Sequence, residues 1–207
     1  MALDTYTNLK TSIADWLNRS DLTAVIPDFI TLAEAQMNRD LNELTALQKT
    51  VTGTVDSVTT SIAIPADLLN LMNIVLSDGT NNNSLSYIAP EDAGNFGTGQ
   101  DKPRYYSVIA DNYVVYPIPN QTYTYSLHYV GEIPALSVSN ASNWVLANTP
   151  NLYLFGALLE AAAYLGNDPR VPLWEAKYAK GKETLLQQDS ELARSGPLTI
   201  KVDAQTA

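Results

Sequence analysis

The chain holds one histidine, His128, and no cysteine. One imidazole cannot build a two-histidine metal site, and without thiols there is neither a disulfide framework nor a thiolate metal site. A lone histidine in a Tyr-rich strand pattern is far more often structural than catalytic. No GxSxG, P-loop or HExxH run is present. Carboxylates are plentiful, at 22 Asp and Glu, so an acid pair of the glycosidase type stays open as a class, although no pair stands in a recognisable context. Glu160, inside an apolar run, is a candidate buried carboxylate. Its simpler reading is the edge of a helix face, paired with Arg39 or a lysine. Twelve tyrosines suit sugar stacking or, more commonly, the packing of a two-sided sheet. The expectation is a protein that is not an enzyme, with no catalytic residue, metal or cofactor. A glycan-binding or glycan-cleaving protein is the alternative.

Any such residues must be positioned by a helical core. Residues 149–166 read TPNLYLFGALLEAAAYLG. Thr149 fits an N-cap, Pro150 the first helical position and Gly166 the C′ position. A helix apolar on nearly every side must be surrounded by protein. This one is short for a membrane span and carries Glu160 near its middle. The expected core is Leu154, Leu158 and Leu165 of this helix with Trp16, Phe29 and Trp174 from its neighbours. Leu9, Ile13, Trp16 and Leu17 fall on one face of a helix over residues 5–18. Pro27 opens a longer helix with Phe29, Ile30, Ala33, Met37, Leu41 and Leu44 on one side. Asp168 and Pro169 open a final helix bearing Trp174, Tyr178, Gly181, Leu185 and Gln188.

Near Gln48 the period changes from 3.6 to 2. Residues 48–64 read as two strands, 71–76 as a third, and 77–83 as a hairpin loop with 84–88 as its returning strand. A short helix over 90–96, strands at 104–109 and 113–116, and an alternating strand at 122–130 follow; 131–148 reads as a long loop. The fold class is α+β: a bundle of about four helices from both chain ends, an inserted antiparallel β region and an extended C-terminal tail. The divisions are 1–47 with 149–194, 48–148, and 195–207. In the tail, Leu198, Ile200 and Val202 alternate with polar residues, a strand pattern suited to adding onto a partner. The formal charge is −10. Residues 51–150 hold eight acids and two bases. That balance argues against a grip on phosphates. The N-terminus lacks a basic start followed by an apolar run, so no signal peptide is expected.

Two long stretches resemble a known family. The opening TSIADWLNRSDLTAVIPDFITLAEAQMNRDL is similar to the N-terminal signature of tailed-phage head-to-tail adaptor proteins, also called connector or tail tubular A-type proteins. The stretch NWVLANTPNLYLFGALLEAAAYLGNDPRVPLWEAKYAKGKETL resembles the second signature. Together they cover roughly 5–46 and 143–190, and the β region matches in type. The resemblance implies a virion protein of the head–tail junction, made in the host cytoplasm and bound to no membrane. It implies a homo-oligomeric ring of twelve copies beneath the portal protein. The helical part would contact the portal, the β part the tail nozzle or tail-tube protein, and the C-terminal tail the portal again. Double-stranded DNA would pass through the channel without specific binding, during genome ejection.

Overall fold

The structure is a computed structural model and describes residues 3–97, 99–166 and 168–194. The tail of 195–207, with Leu198, Ile200 and Val202, lies outside the described residues. The fold is mixed α+β. Among the described residues five helices are α1 (Tyr6–Leu17), α2 (Ile26–Asp40), α3 (Trp144–Asn148), α4 (Pro150–Leu165) and α5 (Val171–Arg194). Ten strands lie between α2 and α3. They are β1 (Gln48–Val55), β2 (Ser61–Ala63), β3 (Leu68–Ser77), β4 (Asn82–Ser84), β5 (Ser86–Tyr87), β6 (Gln100–Asp101), β7 (Tyr105–Ile109), β8 (Asn112–Tyr116), β9 (Ile118–Pro119) and β10 (Tyr123–Gly131). The chain divides into two compact units. One takes the residues up to Ala46 and from Ile133 onward; the other is Leu47–Glu132.

The helical unit is built around α4, which touches α1, α2, α3 and α5. Leu152 to Leu158 are buried without interruption. Gly156 is the point of closest approach. A Cβ there would stand 3.2 Å from Ala33 Cβ of α2 and 3.3 Å from Tyr178 Cε2 of α5. Leu154, Leu158, Phe29 and Trp174 are buried. Trp16 is not: it stays 41% exposed at the rim, its ring edge-on to Phe155 at 5.5 Å. Leu165 is half-buried because α4 ends there, one residue before Gly166 turns the chain with φ +83°.

Helix boundaries differ from the sequence expectation in three places. Thr149 gives α4 no side-chain cap; its N–H donates to Val145 O, closing α3 directly before α4. Helix α5 starts at Val171, because the Asp168 carboxylate accepts from Arg170 N–H at 2.8 Å and holds a turn ahead of the helix. Residues 133–148 are not a bare loop of the β region. They group with the helices and contain α3, capped by Asn143, whose Oδ1 accepts from Leu146 N–H at 2.9 Å.

The β unit has two four-stranded sheets, in the orders β1-β10-β3-β4 and β2-β8-β7-β5, and a pair β6-β9. Most pairings are antiparallel, but β5 runs parallel to β7 and β6 to β9. The expected hairpin return over 84–88 is divided. β4 pairs with β3, Leu85 N–H donates to Ile74 O, and then Ser86 N–H donates to Arg104 O in the other sheet. Leu85 joins the core at this crossing, with Val55, Ile62, Ile74, Leu127 and Tyr129. Mid-strand Gly53 faces Tyr125 across the ladder. A Cβ there would stand 2.6 Å from Tyr125 Oη, so the ring occupies the space a side chain would take.

Two substitutions test the central place of α4. Leu158→Ala removes a fully buried side chain and is expected to cost ~2–5 kcal/mol in denaturant unfolding. Gly156→Val pushes α4 off α2 and α5 and is expected to cost ~1–3 kcal/mol by overpacking. A loss below about 1 kcal/mol for Leu158→Ala would remove α4 from the centre.

Candidate functional site

The one buried carboxylate among the described residues is Glu34 of α2, only 5% exposed. It falls four residues after Ile30 and three before Met37, on the apolar face of its helix, so the helical period already places it inward. Its Oε1 accepts the Leu136 N–H at 2.7 Å and the Tyr153 hydroxyl at 3.1 Å. Asn143 donates its amide to the Tyr153 oxygen and also to Pro134 O at 2.8 Å. Ile133 N–H donates to Asn38 Oδ1 at 2.9 Å, and Tyr6 N–H to Ala141 O at 2.7 Å. An irregular strap of residues 133–143 is thereby fastened to α1, α2 and α4. Burial raises the Glu34 pKa, and its two hydrogen bonds oppose that shift. Burial, reinforced by the Glu34 charge, pushes the Tyr153 phenol well up.

A second polar group joins α2 to α5. Asp40 accepts from the Tyr178 hydroxyl at 3.0 Å and pairs with Lys182 at 3.6 Å. At the start of α5, Arg170 pairs with Asp168 at 2.8 Å, donates to Trp16 O at 2.8 Å, and lies 4.8 Å from the Trp174 ring centroid. Next to it, an open groove of about 610 Å³ is lined by Leu159, Ala162 and Ala163 of α4 and Val171, Pro172 and Glu175 of α5.

The residues singled out for chemistry are placed apart. His128 Nδ1 lies 2.8 Å from Oγ1 of its cross-strand partner Thr50. Glu160 is half-buried and makes no ion pair among the described residues; Arg39 donates instead to Gln36 at 2.7 Å. The tyrosines of the β unit pack on one another, as Tyr106 does on Tyr87 and Tyr113, or bond locally, as Tyr129 does to Asp67. Among the described residues no cluster of His, Asp and Glu could hold a metal ion. Acids of the β unit fasten turns: Asp56 accepts from Val58 and Thr59 N–H. Asp78 accepts from Asn81 and Thr80 N–H, and these two bonds, with a smaller contribution from Lys102, hold its carboxyl down to about 2.

These two units define a mixed α+β protein whose polar side chains fasten turns, a strap and helix contacts. A family model described as the SU10 adaptor protein matches residues 4–201. The chain belongs to that family of phage adaptor proteins, which makes it a virion component that works with head and tail parts. No curated protein matches the chain. No helix among the described residues is long and apolar enough to cross a membrane.

The Glu34 carboxyl has a testable pH signature. Its folded pKa is raised, so its contribution is fully present below the unfolded glutamate value and is lost as pH rises through the folded value. Glu34→Gln keeps an oxygen for Leu136 and Tyr153 but removes the charge. Thermal melts from pH 4 to 8 should show the wild type losing stability relative to Glu34→Gln as pH rises. Glu34→Ala, which leaves the Leu136 N–H without its acceptor, should cost ~1–3 kcal/mol across that range. Parallel pH profiles for wild type and Glu34→Gln would contradict this account.

Proposed function

We propose that this protein is the ring adaptor between the capsid portal and the tail, with twelve copies enclosing a channel for DNA. The observation that carries this reading is the family match over residues 4–201, which takes in both helical ends and the β unit. In this reading the helices from both chain ends form a bundle that builds the ring and meets the portal. The β unit meets the nozzle or tail-tube protein. Leu198, Ile200 and Val202 are portal anchors on one side of an extended strand, since side chains alternate faces. Ordering such a strand costs ~1–2 kcal/mol per residue, so three anchors alone do not hold a ring and the helical surface shares the contact. The net charge of −10 fits a wall that duplex DNA slides past, because affinity for phosphates comes from Lys and Arg.

Electron microscopy of the purified chain mixed with its portal is the direct test. A twelve-fold ring seated on the portal is expected; a monomer that leaves the portal bare would overturn the reading. Truncation after Gly196 should leave a folded, soluble protein that joins portal rings poorly, and docking equal to the full chain would remove the tail as anchor. In filter binding at physiological salt the isolated protein should not retain duplex DNA; tight retention would contradict passage without capture.

A further inference from the structure

Helix α5 shows two different flanks. Its buried stripe is Trp174, Tyr178, Gly181 and Leu185. At 3.6 residues per turn, each residue advances ~100°. Glu175 follows Trp174 and so lies to one side of the stripe, with Val171 and Pro172. Lys177 precedes Tyr178 and so lies to the other side, with Lys180 and Thr184. The Glu175 side opens onto the groove of about 610 Å³ against Leu159, Ala162 and Ala163 of α4. The lysine side forms a second, polar hollow of about 340 Å³ with Asn151 and Thr184.

Arg19, Lys49, Lys102, Arg170 and Lys182 are in ion pairs, while Lys10, Arg39 and Arg104 stand outside them singly on other segments. Lys177 and Lys180, exposed and one turn apart, are in none among the described side chains. Glu175 on the opposite flank is likewise exposed and outside every described ion pair. One flank therefore offers an apolar groove with a free carboxylate, and the other a pair of free ammonium groups.

We infer that these two flanks are the two halves of a contact between successive copies of this chain, the Lys177–Lys180 flank of one copy seating against the Glu175 groove of the next. The inference rests on the ring reading and assigns it a surface. The charge pattern favours a head-to-tail contact. A two-fold contact through either flank would set lysine against lysine or Glu175 against Glu175, and like charges in apposition are unfavourable. A contact between two different patches of identical copies repeats from copy to copy, and closes into a ring when the rotation allows. Lysine stems also cover apolar surface while their heads stay in water, which suits a groove lined by Leu159, Ala162 and Val171.

Charge reversal on each flank, and on both, tests the assignment in the full chain. The variants are Lys177→Glu with Lys180→Glu, Glu175→Lys, and all three together. Ring formation is read by mass photometry and folding by thermal melts. Each one-sided reversal should weaken assembly by about tenfold or more with an unchanged melt. The triple variant restores opposite charges and should regain most of the loss, which a merely structural role for these residues would not produce. The neutral pair Lys177→Gln with Lys180→Gln should show a smaller loss in the same direction. One-sided variants that assemble like wild type, or a triple variant no better than either side alone, overturn this inference and leave the ring reading standing. A wild-type chain that forms no ring, alone or on portal, overturns both.

Discussion

Helix α4 has no side that tolerates water over most of its length, and the helical unit is arranged to satisfy that constraint. Four helices touch it. The close approach is set at Gly156, where Ala33 of α2 and Tyr178 of α5 occupy the space a side chain would need. Dispersion contacts are individually small and fall away steeply with separation, so a gap of even half an ångström here would be felt by all three helices. The segments that supply the cover are far apart in the chain. Their docking on α4 makes one unit from residues before Ala46 and after Ile133, and leaves the strands between them to form a separate core.

An apolar helix cannot by itself anchor an irregular segment. Residues 133–143 bring backbone N–H groups to the helices that no ladder satisfies, and a buried N–H without a partner is costly. Glu34 and Asn38 of α2 answer with side-chain oxygens one turn apart. The carboxylate carries its own desolvation cost, visible in its raised pKa, which the Leu136 and Tyr153 hydrogen bonds offset in part. The arrangement exchanges some stability for a defined path of the strap that leads into α3 and α4.

In the β unit, charge is used locally. Asp56 and Asp78 close their own turns, while Lys49 and Lys102 reach back to Asp67 and Asp78. Basic groups there are thus largely engaged, and the remaining field is acidic. That is a poor surface for holding phosphates and suits the assignment to a phage adaptor family. In the helical unit Lys10, Arg39, Lys177 and Lys180 stand outside the described ion pairs, and the last two share one flank of α5.

Taken alone, the amino-acid order determines the four long helices, the longer strands and the family, but not α3 or the short strands β6 and β9. Helical period, proline at the start of α4 and glycine at its end are local properties, and the faces bearing Leu9, Phe29, Leu158 and Trp174 follow from spacing within one element. Strand alternation is equally local, so β3, β7, β8 and β10 were legible, and the two long signatures pointed to the adaptor family. Partners were not legible. Alternation over 84–88 says which residues share a face but not which strand lies alongside, and only the fold divides that run between two sheets at Leu85. Glu34 sits on an apolar face where a charge reads as an error until Leu136 and Tyr153, 102 and 119 residues away, arrive as donors. Spacing alone places Trp16 in the core, yet a helix face is broader than the surface that covers it, so its ring stays at the rim. Contacts between residues distant in the chain depend on how whole elements pack, and periodicity within one element carries no information about that.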